Sequence, residues 1–429
     1  MPSAGSIERQ GRTLTGSTKL AALAMGMAVV TTACAGDDDR VGTTTGSDPT
    51  SSTTPTSTSA PSVAATDSRD TAPDGELPDG PSALRDRFNS SFPEPLIDPA
   101  DIRSGGPPPD GIPPIDDPQF VTVAAADEYL NDAEPVMVVE IAGETRAYPI
   151  QILMWHEIVN DTVGGVPLAV TYCPLCNSAL TFERRVRGVE TTFGTSGSLY
   201  CANLVMYDRA TESLWNQFDG RAVVGLLTGE ALTQIPSTTL SWGEFKAARP
   251  DALVLDRERT GADRPYGTNP YTGLDDPNGQ PFLFSGEIDV RAKAMQRVVA
   301  IQSDAEAVAW TLDGLMEGEA AVTTGEFGGA PLTIFWKAGQ ASALDTADIA
   351  AGRDVGTVGV FSPVIDGQTL TFRVEGDVFI DHQTGTTWSV IGDAVDGPLA
   401  GSVLEPITFV RTFWFSWAAF RPDTDLIEG

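Results

Sequence analysis

The spacing of apolar and polar positions divides the 429-residue chain into stretches of different physical character. An apolar run from Leu20 to Val30 (LAALAMGMAVV) follows Arg9, Arg12 and Lys19. It is too short to span a bilayer comfortably, and with its basic lead it reads as an export signal. From Ala35 to about Pro81 large apolar side chains are nearly absent, as in GTTTGSDPTSSTTPTSTSAPS. Such a segment buries too little surface to offset its chain entropy, so residues 35–81 are predicted to be a disordered tether. Residues 82–135 are rich in Pro and Gly but carry Ile112, Ile115 and Phe120 as apolar anchors. They are predicted to form an ordered, largely extended arm.

Regular patterning begins after the arm. The run Val136–Ile141 (VMVVEI) predicts a strand, with a turn at Gly143-Glu144 and a return from Thr145 to Tyr148. Pro149 suits the first turn of a helix, and Ile150, Leu153, Met154 and Ile158 then recur at helical spacing, which leaves His156 on the border of the stripe. Two further strands, Val166–Tyr172 and Ser178–Arg184, flank a C-P-L-C turn. Strand-turn units continue through Gly188, Gly197, Thr211 and Gly220 to a helix at about Trp242–Ala248. Residues 256–296, dense in Gly, Pro, Asn and Asp, predict a long connector. The expected class is mainly β (α+β).

The chain beyond the connector echoes the chain before it. GGVPLAVTYCPLCNSAL from Gly164 aligns with GGAPLTIFWKAGQASAL from Gly328, MYDRATESLWNQ from Met206 with FIDHQTGTTWSV from Phe379, and SWGEFKAARPD from Ser241 with SWAAFRPDTD from Ser416. Three matches in one order predict an internal duplication, with related β-rich lobes at 136–255 and 297–429. Asp208, Thr211 and Trp215 recur as Asp381, Thr384 and Trp388, which marks them as scaffold. Cys173 and Cys176 are replaced by Lys337 and Gln340, and the second copy has no histidine in a helix expected around Asp304–Leu312. The sulfur and imidazole are therefore not demanded by the fold of a lobe.

A net charge of −32 opposes nucleic acid or an anionic membrane surface as partner. Only four cysteines and two histidines occur. Cys34 comes after Thr31-Thr32-Ala33 and resembles the lipidated cysteine of a lipobox, with Thr31 where Leu is usual. Residues 1–34 are accordingly read as a lipoprotein signal peptide, with anchoring of the exported protein to the cell membrane through Cys34 on the extracytoplasmic side. Lipidation of Cys34 leaves Cys173, Cys176 and Cys201, an odd number in an oxidising compartment. No feature of the sequence specifies a protein partner.

The candidate chemistry concentrates between Tyr148 and Phe182. In the leading reading, His156, Cys173, Cys176 and Cys201 form a four-ligand set for a soft metal, copper or zinc, with Glu157 or Asn160 orienting the imidazole. In a second, Cys173 and Cys176 cycle between dithiol and disulfide while His156 lowers a thiol's pKa. In a third, the cysteines form a structural disulfide in a non-catalytic binding module whose apolar surface uses Trp155, Trp215, Trp414 and Trp417. A hydrolase is disfavoured: the His156-Glu157 pair lacks the second helical histidine of H-E-x-x-H, because position 160 is Asn, and there is no G-x-S-x-G elbow. Asp110 or Asp116 could reach the site from the arm. His382 reads as a surface turn residue.

Six stretches stand out together: SGGPPPDGIPPIDDPQF from Ser104, RAYPIQILMWHEIVND from Arg146, VTYCPLCNSALTFERRVRG from Val170, FGTSGSL from Phe193, LVMYDRATESLWNQ from Leu204 and FWFSWAAFRPDTDLI from Phe413. With them the chain resembles the DUF3179 family of bacterial and archaeal proteins, a domain of unknown function. The resemblance implies an exported or membrane-anchored protein and places His156, Cys173 and Cys176 inside family motifs. Cys201 departs from the pattern, which usually has Asn or another polar residue there, and so ranks below the other three as a ligand.

Overall fold

The computed structural model describes residues 75–428 with the exception of Glu317. The export segment, Cys34 and the tether as far as residue 74 lie outside the described residues. All of the described residues belong to one compact unit. Order begins before residue 82, earlier than the tether boundary expected from composition. Leu77 packs against the main core, and the Gly75 N–H donates to the Arg187 carbonyl at 3.3 Å.

The protein is mainly β. The predicted strand and its return are observed as Pro135–Ile141 and Glu144–Pro149, paired antiparallel. Pro149 then delivers the chain into the helix Ile150–His156, which ends short of the expected stripe because Glu157 adopts φ 58° at the C-cap. Ile158 consequently starts the strand Ile158–Val163 instead of closing the helix. That strand pairs with Val166–Cys173, which pairs with Ser178–Glu183 to make the hairpin carrying the C-P-L-C turn.

The two halves show the same strand order in several places. In the first, Thr238–Ser241, Pro135–Ile141, Glu144–Pro149 and Leu253–Leu255 lie side by side with two antiparallel pairings and one parallel one. In the second, Val410–Phe413, Arg297–Gln302, Ala307–Thr311 and Asp425–Ile427 repeat that order and those directions. Each first-named strand runs directly into a seven-residue helix, Trp242–Ala248 or Trp414–Phe420. The helix expected around Asp304–Leu312 is instead the strand Ala307–Thr311, buried along its whole length. Its side chains serve a sheet covered on both faces, so a helical reading of the apolar run loses to β pairing.

The recurrent Asp-x-x-Thr motif forms the same turn twice. The Asp208 carboxylate accepts from the Thr211 N–H at 2.7 Å and from the Trp215 indole at 3.0 Å, and Asp381 accepts from the Trp388 indole at 3.0 Å. A buried carboxylate accepting several N–H and O–H bonds is a strong local clamp.

The halves share one core. Cys173, Cys176, Phe182, Trp215 and Phe218 from the first pack in the same buried cluster as Phe413, Trp414 and Trp417 from the second. Trp215, Trp414 and Trp417 are fully buried and Trp155 is half-buried. The set named for an apolar binding surface is therefore mostly interior. Among the described residues no helix is long and apolar enough to cross a membrane.

Candidate functional site

The sulfur pair owes its position to the hairpin. Cys173 is the last residue of its strand and lies opposite Ser178, and the intervening turn closes with Asn177 at φ 53°. The two Sγ atoms are 3.0 Å apart, no disulfide joins the described cysteines, and both residues of the pair are buried.

Their surroundings are unequal. Burial would push the Cys176 thiol up, but hydrogen bonds from Cys173 and the Asn203 amide, with the Ser416 and Ser178 side chains close by, outweigh it and hold Cys176 below its ordinary value. The Asn203 Nδ2 donates to the Cys176 Sγ at 3.1 Å. Burial, then the bond to Cys176 and its charge, drives the Cys173 thiol well up. The geometry thus separates a thiolate-favouring sulfur from a thiol-favouring one within bonding reach.

Asn203 is itself held in place. Its Nδ2 also donates to Gln217 Oε1 at 2.8 Å, and its Oδ1 accepts from the Phe218 N–H at 3.1 Å. Gln217 donates to the Thr171 hydroxyl at 3.0 Å and accepts from the Ser178 hydroxyl at 3.0 Å. In the aligned stretches of the second half, Thr171 is matched by Phe335 and Gln217 by Val390. There Phe335 stacks on Phe379 with ring centroids 4.1 Å apart. The polar network around Cys176 is therefore confined to the half that has the sulfur. Reading the matched stretches for polar-to-apolar exchanges, beyond the cysteines, would have found Thr171 and Gln217 in the sequence.

The far half closes the turn. The Thr412 hydroxyl donates to the Cys176 carbonyl at 2.7 Å and the Phe413 N–H donates to it at 3.2 Å. The Ser416 hydroxyl, from the next helix, is buried and makes no bond at ordinary distance, yet lies close enough to Cys176 to favour its charged form. No pattern in the sequence pairs these residues with the C-P-L-C turn.

Glu157 belongs to the same neighbourhood. Burial, then the Cys176 charge, pushes its carboxyl up to about 8. Tyr271 of the connector feels both Glu157 and Cys173, and its phenol is raised, first by burial.

His156 is fully buried at the helix end. Its Nδ1 lies 2.7 Å from the Pro113 carbonyl, an acceptor only, so Nδ1 carries the proton and donates. Nε2 then accepts from the Tyr266 hydroxyl at 2.6 Å, whose oxygen lies 2.6 Å from the Thr260 hydroxyl. Burial lowers the imidazole pKa, which fits a neutral ring held by two neutral partners.

Both ring nitrogens are thus engaged by the arm and the connector. The orienting role expected of Glu157 and Asn160 falls to Pro113 and Tyr266 instead. Asn160 binds Asp116 at 2.7 Å and the Phe193 carbonyl at 2.9 Å. Asp110 and Asp116 both pair with Arg209, at 3.3 and 2.7 Å, and so anchor the arm. Among the described residues no group of three or more His, Cys, Asp or Glu side chains is placed to hold a metal ion. The set His156, Cys173, Cys176, Cys201 is therefore not assembled around one point.

Cys201 sits with Ala202 in the two-residue turn between Phe193–Tyr200 and Asn203–Asp208. Both have positive φ, 49° and 60°, the arrangement that favours Asn and Gly. The Ala202 carbonyl faces the sulfur pair, 3.6 Å from Cys176 Sγ. Cys201→Asn is expected to stabilise the fold by about 0.5–1 kcal/mol, because Asn tolerates this backbone region better than Cys. Denaturant titration reads the change, and a loss of stability would show that the thiol contributes more than the turn strain costs.

No curated protein and no solved structure matches the chain. The family described as "Protein of unknown function (DUF3179)" matches residues 109–424, which include every described residue of the candidate site, and the chain belongs to that family.

Proposed function

We propose that the protein is an exported thiol-disulfide redox protein whose working pair is Cys173 and Cys176. The observation that carries this reading is the Asn203 amide, which donates at 3.1 Å to Cys176 Sγ and favours a thiolate there, 3.0 Å from the Cys173 sulfur. A static staple needs no such donor.

In the exchange, the Cys176 thiolate attacks one sulfur of a small disulfide and releases its first thiolate. Cys173 then gives up its proton and attacks Cys176 Sγ in the mixed disulfide, releasing the second. Two protein thiols are oxidised to a disulfide while one small disulfide is reduced to two thiols, which take the protons. The sulfurs close from 3.0 Å to about 2.05 Å, a movement the four-residue turn between strands can absorb. Both sulfurs are buried, so the exchange requires the site to open, and a small reactant needs less opening than a folded protein's disulfide.

The soft-metal reading rests on the same two sulfurs. On tetrahedral zinc with bonds of about 2.3 Å, two thiolates lie about 3.8 Å apart, so the pair would have to separate and recruit further ligands. The matched strand orders support the view that the halves arose by internal duplication and that only the first acquired or kept the thiols. In the same reading Cys34 carries the lipid anchor and the protein works outside the cytoplasm, a proposal supported by the export pattern of residues 1–34.

The test is equilibration of the full chain in graded reduced and oxidised glutathione, with dithiothreitol for the more reducing end, followed by thiol trapping and mass determination. The expected midpoint lies in the range of about −120 to −270 mV typical of working dithiols. A pair that stays oxidised to below about −300 mV behaves as a staple and overturns the reading. Stoichiometric copper or zinc uptake by the reduced protein, lost in Cys173→Ser, would return the site to the metal reading.

A further inference from the structure

A cavity of about 40 Å³ with a mixed polar and apolar lining lies between the two halves, behind the strand that bears Cys173. Tyr172 and Asn177 line it from the first half, and Arg297, Gln340, Ser342 and Arg411 from the second. At roughly 10–15 Å³ for each water-sized group, it has room for about three such groups.

Its charge is unbalanced. Arg297 is buried, with 4% of its surface exposed, and donates through one terminal nitrogen to Asp275 at 2.7 Å and to Ser342 at 3.0 Å. Its Nε is buried and makes no hydrogen bond. Arg411 reaches only neutral carbonyls, those of Gly356 at 2.8 Å and Val355 at 2.7 Å, and its buried Nε is also unbonded.

The negative groups nearby are committed elsewhere. Asp275 is shared between Arg297 and Arg353, at 2.7 and 2.6 Å. Asp354 accepts from the Gly339 and Gly356 N–H groups, each at 2.8 Å. The carboxylate beside Arg297 is thus shared with Arg353, and Arg411 has no carboxylate partner of its own among the described residues. Burial, then the Arg297 charge, pulls the Arg411 pKa down, the direction of a cation short of a counter-charge.

We infer that this cavity is a binding site for a small monovalent anion of about the size of formate, held between the guanidinium groups of Arg297 and Arg411. The anion supplies the missing negative charge and acceptors for donors that are otherwise buried unsatisfied. The inference is independent of the thiol chemistry and stands whether or not Cys173 and Cys176 cycle.

The test is the thermal midpoint of the full chain titrated with sodium formate, against sodium 2-(N-morpholino)ethanesulfonate at equal ionic strength as an anion too large for the cavity. Formate is expected to raise the midpoint in a saturable way and the sulfonate is not, because only a ligand that binds the folded state shifts the equilibrium. Arg411→Gln is expected to weaken the apparent formate affinity at least about tenfold, as a charge-assisted pair is lost. Equal responses to the two anions, or an unchanged formate response in folded Arg411→Gln, would falsify the site. Crystals soaked in bromide need no variant: anomalous signal between Arg297 and Arg411 supports the inference, and signal confined to other places overturns it.

Discussion

Between pH 5 and pH 8 the protein is expected to lose about 4 kcal/mol of stability through a single carboxyl group, that of Glu157. This group is buried, and burial, then the neighbouring Cys176 charge, raises it from 4.5 to about 8. An acid held above its unfolded value binds its proton more tightly in the folded state. Its contribution is complete below 4.5 and falls away as pH rises towards 8, at about 1.4 kcal/mol per pH unit. Above that value the loss is complete.

Carboxyls at buried Glu134 and Asp161 and at half-buried Asp219 and Glu244 are raised as well, each first by loss of solvation, so the whole protein's pH profile does not isolate Glu157. The difference between wild type and Glu157→Gln does. Gln is the near-isostere of the protonated acid and cannot ionise. The variant should therefore match wild type near pH 5 and exceed it by several kcal/mol at pH 8.5. Superimposable denaturation profiles across that range would remove the assignment of Glu157 as a buried, proton-holding acid beside the thiols.

The second large effect concerns Asp275, which is fully buried in the connector. Its carboxylate pairs with Arg297 and Arg353 and accepts from the Ser342 hydroxyl. Burial opposes its charge, but the two guanidinium groups outweigh that and hold the carboxyl below its usual range. Asp275→Ala should cost about 3–5 kcal/mol, because it leaves the Arg297 cation buried without its partner. The pair Arg421–Asp423, whose carboxylate is exposed, supplies the contrast, since Asp423→Ala should change stability by less than about 1 kcal/mol. Chemical denaturation of both variants checks the ranking, and a cost for Asp275→Ala no larger than that for Asp423→Ala would refute it.

Much of the local structure was legible in the residue pattern. The strand at 135–141, the helix after Pro149, the helix Trp242–Ala248 and the two Asp-x-x-Thr turns arise from periodicity and turn chemistry that act within a few residues. The closeness of Cys173 and Cys176 was legible too, because a four-residue turn leaves them little freedom to part. The end of the first helix was less so. Nothing in the stripe of Ile150, Leu153, Met154 and Ile158 shows that Glu157 takes a left-handed conformation and turns Ile158 into a strand. Around Asp304–Leu312 an apolar run served both periods, and the pairing available in the sheet decided between them.

From the sequence alone came the β class, the positions of the matched stretches, the family resemblance and the choice of the first matched region for the candidate site. What the site is made of was decided by tertiary structure. His156 is engaged by Pro113 and Tyr266, 43 and 110 residues away, and the Cys176 carbonyl by Thr412, 236 residues away. Periodicity and turn propensity are properties of neighbours along the chain. The partners of a buried polar atom are whatever the packed core brings within hydrogen-bond reach, and that depends on how distant strands register against one another.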